Sequence, residues 1–121
     1  MTFDRDLADW DVCYLETTGR VTGRVHVVEI WFAADPGRDR IYMMSGGRDA
    51  ADWLRNIRKN AAVRVRFGDL WLNGTAAEIE GAADEPRCRQ LLAAKYQGWR
   101  EGQRLSRWAR ESLPIAIDLA S

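Results

Sequence analysis

Cysteine, histidine and lysine are the scarce residues of this chain, and each scarcity excludes a class of chemistry. Cys13 and Cys88 form no Cys-x-x-Cys pair and His26 is the single histidine, so no zinc or iron–sulfur ligand set can be assembled, and two free thiols are expected. The same shortage leaves no Ser–His–Asp or Cys–His arrangement for nucleophilic hydrolysis. Net charge is also absent: 18 basic residues balance 18 acidic ones, which argues against a dedicated nucleic-acid partner, because neutralising phosphates takes a basic surplus. No apolar run reaches the roughly 18 residues of a membrane-spanning helix, and the opening MTFDRDLADWDVCY is acidic rather than signal-like. Stable membrane insertion is therefore not expected, and a cytoplasmic location is.

What is present suits a single domain over residues 1–121. A chain of 121 residues and 13.8 kDa with 46% hydrophobic residues can bury a core without disulfide or metal staples. Lysine occurs only as Lys59 and Lys95, against sixteen arginines. That skew either suits bidentate binding of phosphate and carboxylate groups or reflects a GC-rich genome. Six tryptophans are enough to line both a core and a pocket for a flat ligand.

Along the chain, Phe3, Leu7 and Trp10 recur at helical spacing, and a strand begins near Val12 with alternating Val12, Tyr14 and Glu16. The turn Thr17–Gly23 leads into a second strand, Arg24–Ala33, completing a hairpin. Asp35-Pro36-Gly37 turns the chain into a third strand, Ile41–Met44. Asp49 is placed to cap a helix of about ten residues that presents Ala50, Trp53, Leu54 and Ile57 on one face. Val63, Val65 and Phe67 alternate with Arg64 and Arg66 in a half-buried strand, and a Gly68-Asp69 turn joins it to another over Leu70–Ile79. A helix over Asp84–Tyr96, a linker carrying Trp99 and Trp108, and a last strand over Pro114–Leu119 complete an α+β chain. About six antiparallel strands with flanking helices point to a small barrel.

Four segments carry candidate chemistry. TTGRVTGR combines two glycines, two threonine hydroxyls, Arg20 and Arg24, and serves either as a plain hairpin turn or as a phosphate cradle. SGGRDAADW places Ser45, Gly46, Gly47 and Arg48 before a helix, as a simple connection or as an anion site. In HVVEIWF, period two puts Val25, Val27, Glu29 and Trp31 on one face and His26, Val28, Ile30 and Phe32 on the other. Glu29 among apolar neighbours is either paired with an arginine or lines a pocket as an acid of raised pKa. His26, opposite, reads as a structural histidine or a base. KYQGW sets Tyr96 and Trp99 at the end of a helix, as core or as a lid over a ligand.

Taken in order and spacing, TTGRVTGRVHVVEIWF, SGGRDAADWLRNIRKNAAVRVRFG and the closing WARESLPIAIDL resemble the deazaflavin (F420)-dependent nitroreductase and quinone reductase family. The likeness covers roughly residues 12–119. It implies a split β-barrel of the kind found in FMN-binding, pyridoxamine-phosphate-oxidase-like proteins, holding coenzyme F420, with FMN as the alternative. Carried over by position, Arg20, Thr22, Gly23 and Arg24 would hold the phosphate region, with His26 and Val28 lining the route to the ring. Ser45, Gly46, Gly47, Arg48 and Trp53 match the loop beside ring and phosphate. The family's cation at Val21, its arginine at His26 and its proline-leucine pair at Glu29-Ile30 are missing here.

The reaction so implied is hydride transfer from the reduced coenzyme to a small-molecule acceptor such as a quinone or enone. Tyr96, Glu29 or water would supply the proton, and Trp31 and Trp99 would form the wall of the substrate pocket. An FMN enzyme of the same barrel, or a non-catalytic carrier of a coenzyme or lipophilic ligand, are the competing readings. Monomer and homodimer both remain open.

Overall fold

The computed structural model describes residues 5–81 and 83–120, so Phe3 lies outside the described residues. A short helix, α1 (Arg5–Ala8), precedes β1 (Cys13–Thr18), β2 (Val25–Ile30), β3 (Ala33–Ala34) and β4 (Arg40–Ser45). A 3-10 turn over Arg48–Ala50 leads into α2 (Asp52–Lys59), followed by β5 (Ala62–Phe67), β6 (Leu70–Glu78), α3 (Asp84–Gln97), α4 (Arg107–Glu111) and β7 (Leu113–Leu119). No helix among the described residues is long and apolar enough to cross a membrane.

The strands form one antiparallel sheet of seven in the order β2-β1-β5-β6-β7-β4-β3. Consecutive strands β2 and β3 thus occupy opposite edges, yet only Trp31 and Phe32 separate them. Three Cα steps of about 3.8 Å bring the two edges within about 11 Å, so the sheet curls into a half-barrel whose seam is Trp31-Phe32. The expected continuous strand Arg24–Ala33 is therefore broken in two. Period-two patterning cannot reveal that a strand leaves one edge and rejoins at the other.

Two cores follow from the curl. Inside the barrel lie Cys13, Leu15, Phe32, Ile41, Met43, Val65, Phe67, Ile115 and Ile117, sealed by Leu54 and Ile57 of α2. Outside it, α3 and α4 cover Tyr42, Met44 and Ala116 with Cys88, Leu92, Ala93 and Ala109. That second layer explains why β4 is buried on both faces. Cys13 and Cys88 are free and buried, and burial pushes both thiols up to about 12.

Two further expectations are corrected. Asp49 does not cap α2: Ala51 is the N-cap, without a side-chain bond, and the Asp49 carboxylate instead takes Arg58 Nη2 at 2.7 Å. The supposed linker holds α4, capped by Ser106, whose Oγ accepts from the Ala109 amide at 3.1 Å.

Asp35 anchors the β3–β4 turn. Its buried carboxylate accepts from Tyr42 Oη at 2.6 Å, Gly37 N at 2.9 Å and Arg38 Nη2 at 2.9 Å, with Arg87 Nε at 3.4 Å. Burial alone would raise its pKa, but those donors together hold it below the ordinary carboxylate value. Because the native value lies below the unfolded one, the stabilisation is complete above about pH 4 and is lost as pH falls through the native value. Asp35→Asn is expected to cost about 2 kcal/mol in urea unfolding at neutral pH and to flatten the acid limb of the stability curve. An unchanged acid limb would mean that Asp35 is not the group responsible.

Candidate active-site cleft

At the seam the backbone of Phe32 has left the ladder, and its polar groups need other partners. Two consecutive residues of α3 supply them. Tyr96 Oη accepts from Phe32 N at 3.0 Å and lies 2.9 Å from Phe32 O and 2.7 Å from Asp11 O, to which it donates. Lys95 Nζ donates to Phe32 O at 3.0 Å, Trp10 O at 2.7 Å and Ala8 O at 3.2 Å, with its charge 3.8 Å from the centre of the Phe32 ring. Burial lowers the Lys95 pKa and pushes the Tyr96 phenol up to about 12.

This arrangement swings Trp31 outward onto the Tyr96 ring, stacked at 4.3 Å and 3°. Trp108 of α4 meets Trp31 edge-on at 5.4 Å and 82°. Beside the two rings opens a cleft of about 280 Å³ lined by Val12, Glu29, Ile30, Trp31, Met44 and Trp108. A second cavity of about 360 Å³, which Trp108 also lines, is bounded by Gly46, Arg48, Arg107, Glu111 and Ser112. Trp108 is the ring shared by both.

The loop after β4 is shaped to this ring. A Cβ on Gly46 would stand 3.3 Å from Trp108 Nε1, so a side chain there would press on the indole. Ser45 is buried and its hydroxyl donates to Arg48 O at 2.9 Å, closing the loop on itself. Arg48 sits in the left-handed region with φ 52°, and its guanidinium donates to the carbonyl of Glu111. Trp53, just beyond, is half-buried against the barrel core.

The five-residue α4 is too short to hold itself. Its Trp108 carbonyl is taken by Ser112 N at 3.0 Å, and Arg89 of α3 reaches under it, Nη1 donating to Ala109 O at 2.9 Å and Ser112 O at 2.8 Å. These bonds satisfy carbonyls that a helix end leaves open.

The turn after β1 is tied to α2. Arg20 donates from its amide and from Nη1 to Asn56 Oδ1, at 3.2 and 2.9 Å, and from Nη2 to Asp52 at 3.2 Å. Asn56, itself buried, donates to Thr17 Oγ1 at 3.1 Å. Thr22 Oγ1 accepts from Arg24 N at 3.3 Å, and Gly23 takes φ 76°. A Cβ on Gly19 would lie 2.8 Å from both Arg24 O and His26 Nε2, so His26 packs where only glycine leaves room. Val21 through Val27 are exposed, Val28 is half-buried, and the Arg24 guanidinium has no protein partner among the described residues.

Several site expectations change with this geometry. Glu29 is exposed rather than buried and lines the cleft, the pocket alternative of the two expected; among the described residues it forms no ion pair, and its Oε1 accepts from Tyr14 Oη at 2.9 Å. That face of β2 is the open outer side of the sheet. Trp99 is not part of the Trp31 wall: its Nε1 donates to Gln103 O at 2.9 Å and it lines a separate cavity with Gln97, Arg104 and Ser106. Trp108 takes that place. The signal available for it was the Ser106 cap three residues before Ala109, which marks a helix turn rather than a linker.

Comparison with known proteins bears on the family and the fold. A family model described as F420H(2)-dependent quinone reductase matches residues 2–120. A conserved hypothetical protein from Mycobacterium tuberculosis superposes with a TM-score of 0.77 at 17% identity, covering 100% of this chain and 82% of that one. A solved F420-H2 dependent reductase matches with a TM-score of 0.66 at 23% identity, over 99% of this chain and 98% of its own. A candidate pyridoxamine 5'-phosphate oxidase from Listeria innocua gives 0.68 at 18% identity, over 95% and 88%. The fold is a split barrel of that type.

Arg89→Met should leave the Ala109 and Ser112 carbonyls unmet. Amide hydrogen exchange over residues 107–112 is expected to quicken about tenfold or more, for the loss of a charged hydrogen bond, with a weaker near-ultraviolet circular dichroism signal from the Trp31–Trp108 pair. Exchange confined to wild-type rates would show that α4 is held by packing instead.

Proposed function

The chain belongs to the F420H(2)-dependent quinone reductase family, and from that premise we propose that its cleft reduces a quinone, enone or similar conjugated acceptor, with reduced F420 as the donor. The observation carrying this reading is Trp108, the one ring that borders both an aromatic cleft and a cavity edged by arginine. Hydride transfer needs the two ligands in direct contact, so coenzyme ring and acceptor would meet along the edge of Trp108 rather than across its plane.

The residues present fit the coenzyme. Its tail carries a phosphate and several glutamates, and the exposed turn Arg20–Arg24 offers the Arg24 guanidinium, without a partner among the described residues, over a backbone kept open by Gly19. Arg20, bound to α2, sets the shape of that turn, while Thr22 and Gly23 hold its bend. We assign His26 and Val28 to the path from tail to ring, and Ser45, Gly46, Gly47 and Arg48 to the loop edging the ring, backed by Trp53.

Reduced F420, when bound, supplies a hydride and loses its second hydrogen as a proton, while the acceptor gains a hydride and a proton and ends as hydroquinone or saturated ketone. The protein positions and dries the reacting pair. Trp31 and Trp108, perpendicular to each other, bound the acceptor by face and by edge, and Met44 and Ile30 exclude water from the cleft floor. Tyr96 acts through its ring, which backs Trp31; its hydroxyl is taken up by the seam backbone. The acceptor's proton then comes from water at the open cleft mouth or by way of Glu29.

Titrating the protein with F420 and with FMN by fluorescence tests the coenzyme assignment. Arg24→Ala should weaken F420 binding about tenfold, the worth of one charged contact, and preference for FMN would overturn it. Trp108→Ala should raise the KM for a simple naphthoquinone and weaken F420 binding, each several-fold, because the ring borders both cavities; a loss in only one of the two would confine Trp108 to that ligand's side.

A further inference from the structure

The two cavities that share Trp108 differ in charge, and the difference defines an acceptor class. One is edged by Arg48 and Arg107, the latter paired with Glu111 Oε2 at 2.8 Å. The other, the cleft itself, carries Glu29 on its wall beside Trp31. Glu29 is in no ion pair among the described residues, and its one side-chain partner is the Tyr14 hydroxyl.

The cations nearest this end are committed elsewhere. Arg66 lies 4.1 Å over the Tyr14 ring and donates to Gly68 O at 2.6 Å. Lys95 is enclosed by three carbonyls. Asp11, whose carbonyl accepts from Tyr96, adds a second exposed acid next to Val12 of the cleft wall. An exposed carboxylate flanked by two indoles is the chemistry that recognises an organic cation: ring faces attract positive charge and the carboxylate fixes where it sits.

Building on the reading of this cleft as the acceptor site, we propose that it selects planar conjugated acceptors bearing a positive charge or a protonated amine, with Glu29 as the specificity-determining residue. The acceptor's rings lie against Trp31 and Trp108, and its cationic substituent lies at the free oxygen of Glu29. The cationic acceptor thereby sits at the acidic cleft, apart from the anionic coenzyme tail at the Arg20–Arg24 turn, and carboxylate-bearing acceptors are repelled by Glu29.

The test compares a benzoquinone carrying a trimethylammonioethyl chain with its carboxyethyl counterpart, using F420H2 as donor. Wild type should favour the cationic quinone by about fivefold or more in kcat/KM at low ionic strength, through KM, and the preference should shrink in 0.5 M salt, as for any exposed charge (roughly 4 Å Debye length there). Glu29→Gln keeps an acceptor for the Tyr14 hydroxyl and should bring the ratio to within about twofold, while Glu29→Lys should reverse it. A wild-type ratio near one, or a ratio unmoved by Glu29→Gln, would overturn the assignment. A binding arm separates this from the enzymatic reading: N-methylquinolinium should quench tryptophan fluorescence with an affinity that Glu29→Gln weakens and that quinoline carboxylate does not match. If that pattern holds while neither quinone oxidises F420H2, the reductase assignment of the cleft fails and the cation site stands; equal binding of the two ions sinks the cation site whatever the turnover.

Discussion

The backbone of Phe32 is the point on which the rest of the structure depends. A sheet whose sequential strands lie at opposite edges must close within two residues, and the peptide groups there cannot pair with either edge. Buried in that position without partners they would cost a few kcal/mol each. Lys95 and Tyr96 remove the cost from outside the sheet, and in doing so fix the height of α3 against the barrel. Phe32 itself turns inward and meets Phe67 edge-on at 5.1 Å, so the seam is locked from the core side as well.

One helix therefore governs most of the cleft. Cys88, Leu92 and Ala93 bury the inner face of α3, and the residues that reach beyond its packing surface each hold a neighbouring element: Arg89 carries α4, Lys95 carries the segment before β1, and Tyr96 backs Trp31. The barrel supplies a rigid floor through Met44 and Ile30, while the walls come from these secondary attachments. The opposite side of the sheet is left to a ladder in which Arg64 and Arg66 lie over Trp71 and Tyr14 at 4.3 and 4.1 Å, with Arg64 also paired to Glu16 through both oxygens. Aromatic and guanidinium groups there share one solvent-facing surface without need of a helix.

Much of this was legible in the sequence, and the division is instructive. Val63, Val65 and Phe67 against Arg64 and Arg66 read correctly as a half-buried strand because one face meets the core and the other meets water. The helix carrying Leu54 and Ile57 was legible for the same reason. The break at Trp31-Phe32 was not, since its cause is closure of the barrel and not any local preference. Asp49 misled because a capping side chain is chosen by backbone geometry: the left-handed Arg48 inserts a tight turn and delays the helix to Asp52. Glu29 was legible as a pocket residue, but the burial expected of its face was not met, because apolar neighbours along a strand do not imply burial: Val25 and Val27 are 64% and 50% exposed on an outer edge. Trp108 was visible as a residue but not as a wall, because its position comes from Arg89, which is distant in sequence.

The bonds that close the seam run to the N–H and C=O of Phe32, groups that every residue type except proline carries. The identity of the neighbouring side chain at position 31 is thus free of the closure, and whatever stands there is delivered to the same spot beside Tyr96. A ring at position 31 can therefore be exchanged without touching the bonds that close the seam, so the surface of the cleft can change while the barrel beneath it stays the same.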